Sequence, residues 1–257
     1  MGFLTLENIS HQYFTTSSYT KAIEDINLTI EEGDFVSFLG PSGCGKSTIL
    51  SIVSGLIAPT EGNVFVNGSP ISKQSTTIGY MLQEDYLFPW KTIQQNVLLG
   101  PHIQRNVTQE IEAKAIHILE DMGLGKVVTD YPSQLSGGMR QRAALARTLI
   151  TNPHIFLLDE PFSALDYQTK LKLENLVANT LKKYNKTSLL VTHDIGEAIA
   201  MSDCIYLLSA NPGKVAATFH VPSHLKSLDP FDARQDADFN ELFQEIWKEL
   251  NALEHNS

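Results

Sequence analysis

Apolar and polar positions alternate along two different periods in this chain. LTLENIS (Leu4 to Ser10) and IEDINLTI (Ile23 to Ile30) alternate apolar with polar residues, the pattern of half-buried antiparallel strands. VFVN (Val64 to Asn67) adds a third run and ends at the turn-prone Asn67-Gly68. Four other runs are almost continuously apolar: FVSFL (Phe35 to Leu39), IFLL (Ile155 to Leu158), SLLVT (Ser188 to Thr192) and IYLL (Ile205 to Leu208). Strands of that kind suit a parallel sheet covered on both faces. The pattern predicts an α/β fold with a mixed sheet: an antiparallel N-terminal portion and a parallel core.

From about Leu87 to Thr148 the period becomes helical with no convincing strand, which predicts a helical subdomain inserted at about 87–148. After Asp166, Leu173, Leu176, Val177, Thr180, Leu181 and Tyr184 share one helix face. Near the C-terminus Phe239, Leu242, Phe243, Ile246, Trp247, Leu250 and Leu253 form another stripe, expected to dock on the protein's own core. Between Asn211 and Asp238, Pro212, Pro222 and Pro230 interrupt any regular element, so this stretch is expected to be irregular. The expectation is one domain over 1–257, with a C-terminal extension at 211–257 ending in an amphipathic helix.

Composition narrows the class. The 257 residues carry 19 Lys+Arg against 29 Asp+Glu, a formal net charge of −10. Phosphate contacts dominate nucleic-acid affinity, so a chain this acidic argues against a broad nucleic-acid-binding face. The strongest apolar stretch, Ile49 to Ala58, is broken by Ser51, Ser54 and Gly55 and falls short of the ~18 residues of a membrane-spanning helix. MGFLTLENIS has neither a basic nor an apolar leader region, and Cys44 and Cys204 are the only cysteines. The expectation is a soluble protein of a reducing compartment.

Three motifs carry chemistry. Gly40-Pro41-Ser42-Gly43-Cys44-Gly45-Lys46-Ser47 matches the phosphate-loop pattern G-x-x-x-x-G-K-[ST], after a strand and before a helical run that begins Ser47-Thr48. Glycines let the backbone wrap a phosphate chain so that several N–H groups point inward at a helix start. Lys46 would neutralise β- and γ-phosphates, and the Ser47 hydroxyl would ligate Mg²⁺. Cys44 reads as a small loop residue. Ile155 to Leu158 ends in Asp159-Glu160; Asp159 would hold Mg²⁺ through water, and Glu160 would polarise the attacking water. Leu135-Ser136-Gly137-Gly138-Met139-Arg140-Gln141-Arg142 opens a further helical pattern, with exposed amides that attract anions. A second phosphate-seeking helix end is useful if it reads a nucleotide held by another copy.

LSGGMRQR between a phosphate loop and an IFLLDE strand resembles the nucleotide-binding subunit of an ABC transporter, over Tyr13 through at least Ala210. The resemblance implies a phosphate-loop NTPase that hydrolyses ATP with Mg²⁺. Ser136, Gly137 and Gly138 would complete the ATP site of an opposing subunit. Gln83 in GYMLQED resembles the glutamine that senses Mg²⁺ and nucleotide and faces the membrane partner. Ser163-Ala164-Leu165-Asp166 resembles the segment lining the subunit contact, and His193 in VTHD resembles the histidine that contacts the γ-phosphate. Tyr13 sits where the family stacks an aromatic on adenine, with Phe14 as the alternative. Gln83-Glu84-Asp85-Tyr86-Leu87-Phe88-Pro89-Trp90 and the ending DADFNELFQEIWKEL resemble the ATPases of nitrate, sulfonate, taurine and pyrimidine-precursor importers.

The implied partners are a second cassette in a head-to-tail pair, transmembrane permease subunits, and an extracytoplasmic solute-binding protein. The implied location is peripheral, on the cytoplasmic face of the cell membrane, and no nucleic acid is expected. Two rival readings stand beside this one: a soluble ABC-type ATPase acting on nucleic acid or ribosomes, and an exporter cassette. The first usually carries added coiled coils, zinc modules or a second cassette, none of which is visible.

Overall fold

A computed structural model describes residues 2–16, 18–71 and 78–255. The antiparallel portion is a sheet of its own. Strands β1 (Leu4–Phe14), β2 (Tyr19–Ile30), β4 (Glu61–Val66) and β5 (Ser69–Pro70) run in the order β2-β1-β4-β5. Leu4 pairs with Ile30 on one side and Val66 on the other. The alternation seen in sequence fits this arrangement: Leu4, Leu6, Ile23, Ile26 and Leu28 are buried on one face.

The second sheet holds β3 (Phe35–Leu39), β6 (Ile78–Met81), β7 (Ile155–Asp159), β8 (Thr187–Thr192), β9 (Cys204–Leu208) and β10 (Val215–His220), in the order β10-β9-β3-β8-β7-β6. Strands β9, β3, β8, β7 and β6 are parallel; β10 pairs antiparallel at the edge. Side chains of successive residues in β7 leave on opposite faces. Ile155 and Leu157 therefore join a core with the antiparallel sheet and α1 (Lys46–Val53). Phe156 and Leu158 join a core with helices on the other side. The expected antiparallel portion and parallel core are both present, stacked face to face over the first of these cores rather than continuous.

Between β6 and β7 the chain runs through α2 (Ile93–Val97), α3 (Leu99–Ile103), α4 (Gln109–Asp121), a 3-10 turn at Pro132–Gln134, and α5 (Gly137–Leu149), without a strand. Asp166 caps α6 (Tyr167–Lys183), its Oδ1 accepting from the Thr169 amide at 3.1 Å. The remaining helices are α7 (Ile195–Met201), α8 (Ser223–Lys226), α9 (Pro230–Ala233) and α10 (Ala237–His255). The sequence pattern did not predict β6, a four-residue edge strand containing Gly79.

The 211–238 stretch is more regular than expected, because its prolines stand at element boundaries. β10 fits between Pro212 and Pro222, Pro222 precedes α8, and Pro230 opens α9, where a missing N–H costs nothing. The last helix docks on its own core. Phe239, Leu242 and Ile246 are buried against Ile195, Ile199, Leu207 and Phe219, while Trp247 at the edge of the stripe stays 48% exposed. Among the described residues, no helix is long and apolar enough to cross a membrane.

Candidate phosphate-binding and hydrolytic site

The candidate residues collect where the parallel strands end. In register, Leu39 of β3 lies beside Thr192 of β8, and Val191 lies beside Asp159 of β7, so three loops leave the sheet at one edge. The carboxyl edge of such a sheet is where open α/β folds bind ligands.

The first loop, Gly40 to Gly45, is tight because its backbone passes close to neighbouring strands. A Cβ on Gly40 would stand 2.6 Å from the Leu208 carbonyl oxygen. One on Gly45, at φ +90°, would stand 2.3 Å from Ile23. Lys46 is buried at the start of α1, and its ammonium donates to the carbonyls of Gly40 at 2.7 Å and Pro41 at 2.9 Å. A cation at the mouth of a ring of amides is what a phosphate chain requires. Cys44 is fully buried, with Sγ 3.6 Å from the Lys46 Nζ. Burial pushes its thiol pKa up, against the pull of Lys46, so it packs the loop as a neutral thiol.

Ser47 and Asp159, 112 residues apart in sequence, meet here: the hydroxyl donates to Asp159 Oδ1 at 3.3 Å. Tyr80 of β6 donates to the other carboxylate oxygen at 3.2 Å. Burial raises the Asp159 pKa, against the hydrogen bonds from Tyr80 and Ser47, and the neighbouring Glu160 carboxylate raises it further. Tyr80 carried no signal in the sequence, whose pattern does not predict β6 either.

Glu160 adopts φ +46°, in the left-handed region, and its amide donates to the Val191 carbonyl at 3.0 Å. This turn aims the side chain at the third loop, where Oε2 lies 3.2 Å from His193 Nδ1. Ser163 donates to the Glu160 carbonyl at 3.0 Å and accepts from Gln83 Nε2 at 3.0 Å. Gln83 thus reaches the Glu160 segment through Ser163. The residues around Gln83 are tied to α5: Gln141 donates to the Gln83 carbonyl at 2.9 Å, Arg140 pairs with Asp85 at 2.9 Å, and Arg147 donates to the Asp85 and Tyr86 carbonyls.

That same helix starts with Ser136, which caps it by accepting from the Met139 amide at 3.4 Å. Gly137 faces Leu165 and Gly138 faces Thr169. Among the described residues no hydrogen bond or ion pair joins Ser136–Gly138 to Gly40–Thr48. Tyr13 is half exposed, with its hydroxyl 3.3 Å from Thr48 Oγ1. Phe14 turns toward Tyr19, ring centroids 6.4 Å apart.

One contributor had no local signal. Gly213 donates to the Ala22 carbonyl and accepts from the Glu24 amide, both at 2.9 Å. A Cβ there would lie 2.0 Å from the carbonyl oxygen of Cys44. Gly213→Ala must therefore push the phosphate loop outward. Misplacement by about 1 Å costs about 10²-fold in rate in well-aligned sites, so ATP hydrolysis is expected to slow at least tenfold, read by steady-state kinetics. An unchanged rate would remove the 211–213 loop as a support of the site.

The family model for the ABC transporter matches residues 23–163. An uncharacterized ABC transporter ATP-binding protein, YtlC of Bacillus subtilis, is 58% identical over 99% of this chain and 98% of its own length. The aliphatic sulfonates import ATP-binding protein SsuB 1 of Rhodococcus jostii is 42% identical over 97% and 96%. The taurine import ATP-binding protein TauB of Ruegeria pomeroyi is 36% identical over 86% and 83%. Among solved structures, the dimeric post-hydrolysis state of the ATP-binding cassette MJ0796, bound to ADP and Pi, superposes with a TM-score of 0.75. It has 33% identity over 86% of this chain and 99% of that one. A phosphate loop and a carboxylate-ended strand at one sheet edge, together with these relatives over nearly the full length, identify the chain as a member of the ABC transporter family, an ATP-binding cassette and ATPase with the phosphate-loop NTPase fold.

Proposed function

We propose that this cassette energises an importer for a small solute such as a sulfonate, taurine, nitrate or a pyrimidine precursor, working as a head-to-tail pair. The observation that carries the hydrolytic reading is the meeting of Ser47 with Asp159 at 3.3 Å and of Glu160 with His193 at 3.2 Å at one sheet edge. Support for the importer reading comes from the relatives named for sulfonate and taurine import.

In this reading Tyr13 stacks on adenine, since its hydroxyl is held at the start of α1 while Phe14 points away. Gly40, Pro41, Ser42, Gly43, Cys44, Gly45, Lys46, Ser47 and Thr48 hold the phosphates. Lys46 transfers its hydrogen bonds from the Gly40 and Pro41 carbonyls to phosphate oxygens. A hydroxyl beside a carboxylate is the oxygen-only donor set that Mg²⁺ prefers, and a divalent cation would offset the cost of burying the Asp159 charge. Ser47 and Asp159 would hold it, with Gln83 reporting on it through Ser163; the ion supplies charge neutralisation at the β- and γ-phosphates. Glu160 orients and deprotonates the attacking water, and His193 holds the Glu160 carboxylate while facing the γ-phosphate. Ser136, Gly137 and Gly138 of the second copy close the site from the other side.

The permease subunits meet the protein near Gln83–Trp90, where Leu82, Tyr86 and Trp90 are exposed. A solute-binding protein outside the membrane delivers the solute, and the cassette sits peripherally on the cytoplasmic face. The test is purification of the chain from membranes, with its bound partners identified and Mg²⁺-dependent ATP hydrolysis measured. Co-purification of permease chains and faster hydrolysis in reconstituted vesicles loaded with solute and binding protein are expected. Recovery of nucleic acid or ribosomes in place of permease chains would overturn the reading.

A further inference from the structure

The loop carrying His193 is held from both sides by one lysine. Thr192 donates to Glu197 Oε2 at 2.5 Å, and the Asp194 amide donates to the Thr192 hydroxyl at 3.0 Å. Asp194 caps α7, its Oδ1 accepting from the Glu197 amide at 3.1 Å. Lys170, on the first turn of α6, places its ammonium 2.6 Å from Asp194 Oδ2 and 2.5 Å from Glu197 Oε1. The residues on either side of His193 therefore both end on the Lys170 ammonium, directly or through Glu197. Glu197 is 3% exposed and Lys170 only 15% at its side chain, so the pairing is shielded from water and strong.

One turn further along α6 stands a rival for that ammonium. Glu174 is fully buried, and neither of its carboxylate oxygens, Oε1 or Oε2, has a well-aligned hydrogen-bond donor. Its close cation is Arg234, at the end of α9 in the C-terminal extension, with Nη2 2.7 Å from Oε2. Burial pushes the Glu174 carboxyl up to about 7, against Arg234 and Lys170, which are the cations acting on it. Residues four apart on a helix are neighbours, so Lys170 is placed to serve Glu174 if Arg234 leaves. A buried carboxylate stripped of its partner is costly; it relieves that cost by taking up a proton or, where it stays charged, by recruiting the nearest ammonium.

We propose that Arg234 positions the His193 loop by balancing the Glu174 charge as an ion pair, which reserves Lys170 for Asp194 and Glu197. The C-terminal extension then governs ATP turnover through a contest between two sets of carboxylates for one lysine. Lys170 and Arg234 are positioning residues: neither touches nucleotide. The inference rests on the reading that His193 acts in hydrolysis.

The test uses the full chain with steady-state ATP hydrolysis. Arg234→Met is expected to lower kcat about five- to tenfold with little change in KM for ATP, the scale of coupling carried by such networks. Adding Glu174→Gln removes the competing charge and is expected to restore kcat. A role confined to packing would leave the double variant as slow as the single one, and that result overturns the proposal, as does an unaltered kcat in Arg234→Met. If Arg234→Met does not fold, the double variant, in which both members of the buried pair are neutral, is read directly, and low turnover in it overturns the proposal. His193→Ala separates the two layers. Full turnover in that variant rejects the role of His193 itself, whereas lost turnover there beside normal turnover in Arg234→Met rejects only the contest for Lys170.

Discussion

Glu160→Gln is expected to retain ATP binding while slowing hydrolysis by about 10²–10³-fold, the cost of removing one preorganised group from a transition state. The substitution keeps the side chain's length, so the Glu160–Val191 backbone hydrogen bond and the Ser163 contact to the Glu160 carbonyl should survive. It removes the only feature a water-activating base needs, a carboxylate able to take a proton. It also removes the neighbouring charge that raises the Asp159 pKa, so the Ser47–Asp159 pair is not weakened as an oxygen donor set. With binding intact and turnover blocked, ATP should trap a closed pair of chains, visible as a dimer on gel filtration in ATP and as a monomer without it. Rapid steady hydrolysis by this variant would dismiss Glu160 as the key carboxylate.

The second large effect concerns which chain completes which site. Ser136 is exposed at the start of α5, where its hydroxyl caps the helix. Ser136→Arg loses that cap, worth about 1 kcal/mol, so the fold should hold while a long cation blocks the opposing phosphate site. Mixed dimers with Lys46→Ala decide the arrangement. With Ser136→Arg in one chain and Lys46→Ala in the other, both lesions fall in one composite site and the second site stays whole. With both lesions in one chain, each site carries one lesion. Occluded nucleotide per dimer should therefore be one in the first case and none in the second. The reverse result would place Ser136–Gly138 and Gly40–Thr48 in the same site of a single chain.

The motif residues were legible because each depends on a local backbone event that leaves a local signature. Glycines at 40 and 45 are needed where the loop runs against Leu208 and Ile23, and Gly43 where the backbone takes a φ of +81°. Asp159 and Glu160 end a strand whose four preceding residues are all apolar. Ser136 precedes two glycines that open a helix. The supports around them were not legible, because their meaning lies in partners far along the chain. Tyr80 bonds a carboxylate 79 residues away, and Gly213 presses on Cys44 from a proline-interrupted stretch. The sequence predicts an irregular stretch there because proline forbids helix and sheet interiors, whereas the fold uses each proline at a boundary. Likewise β6 escaped notice since four residues with a central glycine carry too short a period to read.

The apolar periods and the local motifs determined by themselves an α/β fold with a phosphate loop and an inserted run of helices, and the motif order carried the resemblance to an ATPase cassette. A period or a contiguous motif depends only on near neighbours, so it survives in one dimension. Only the tertiary structure decided that the antiparallel strands form a separate sheet. It also decided that Ser47 meets Asp159, that Glu160 faces His193, and that Arg234 reaches the buried Glu174. Those outcomes depend on which faces pack and which charges are left to pair in the space remaining, and no stretch of sequence holds both members of such a pair.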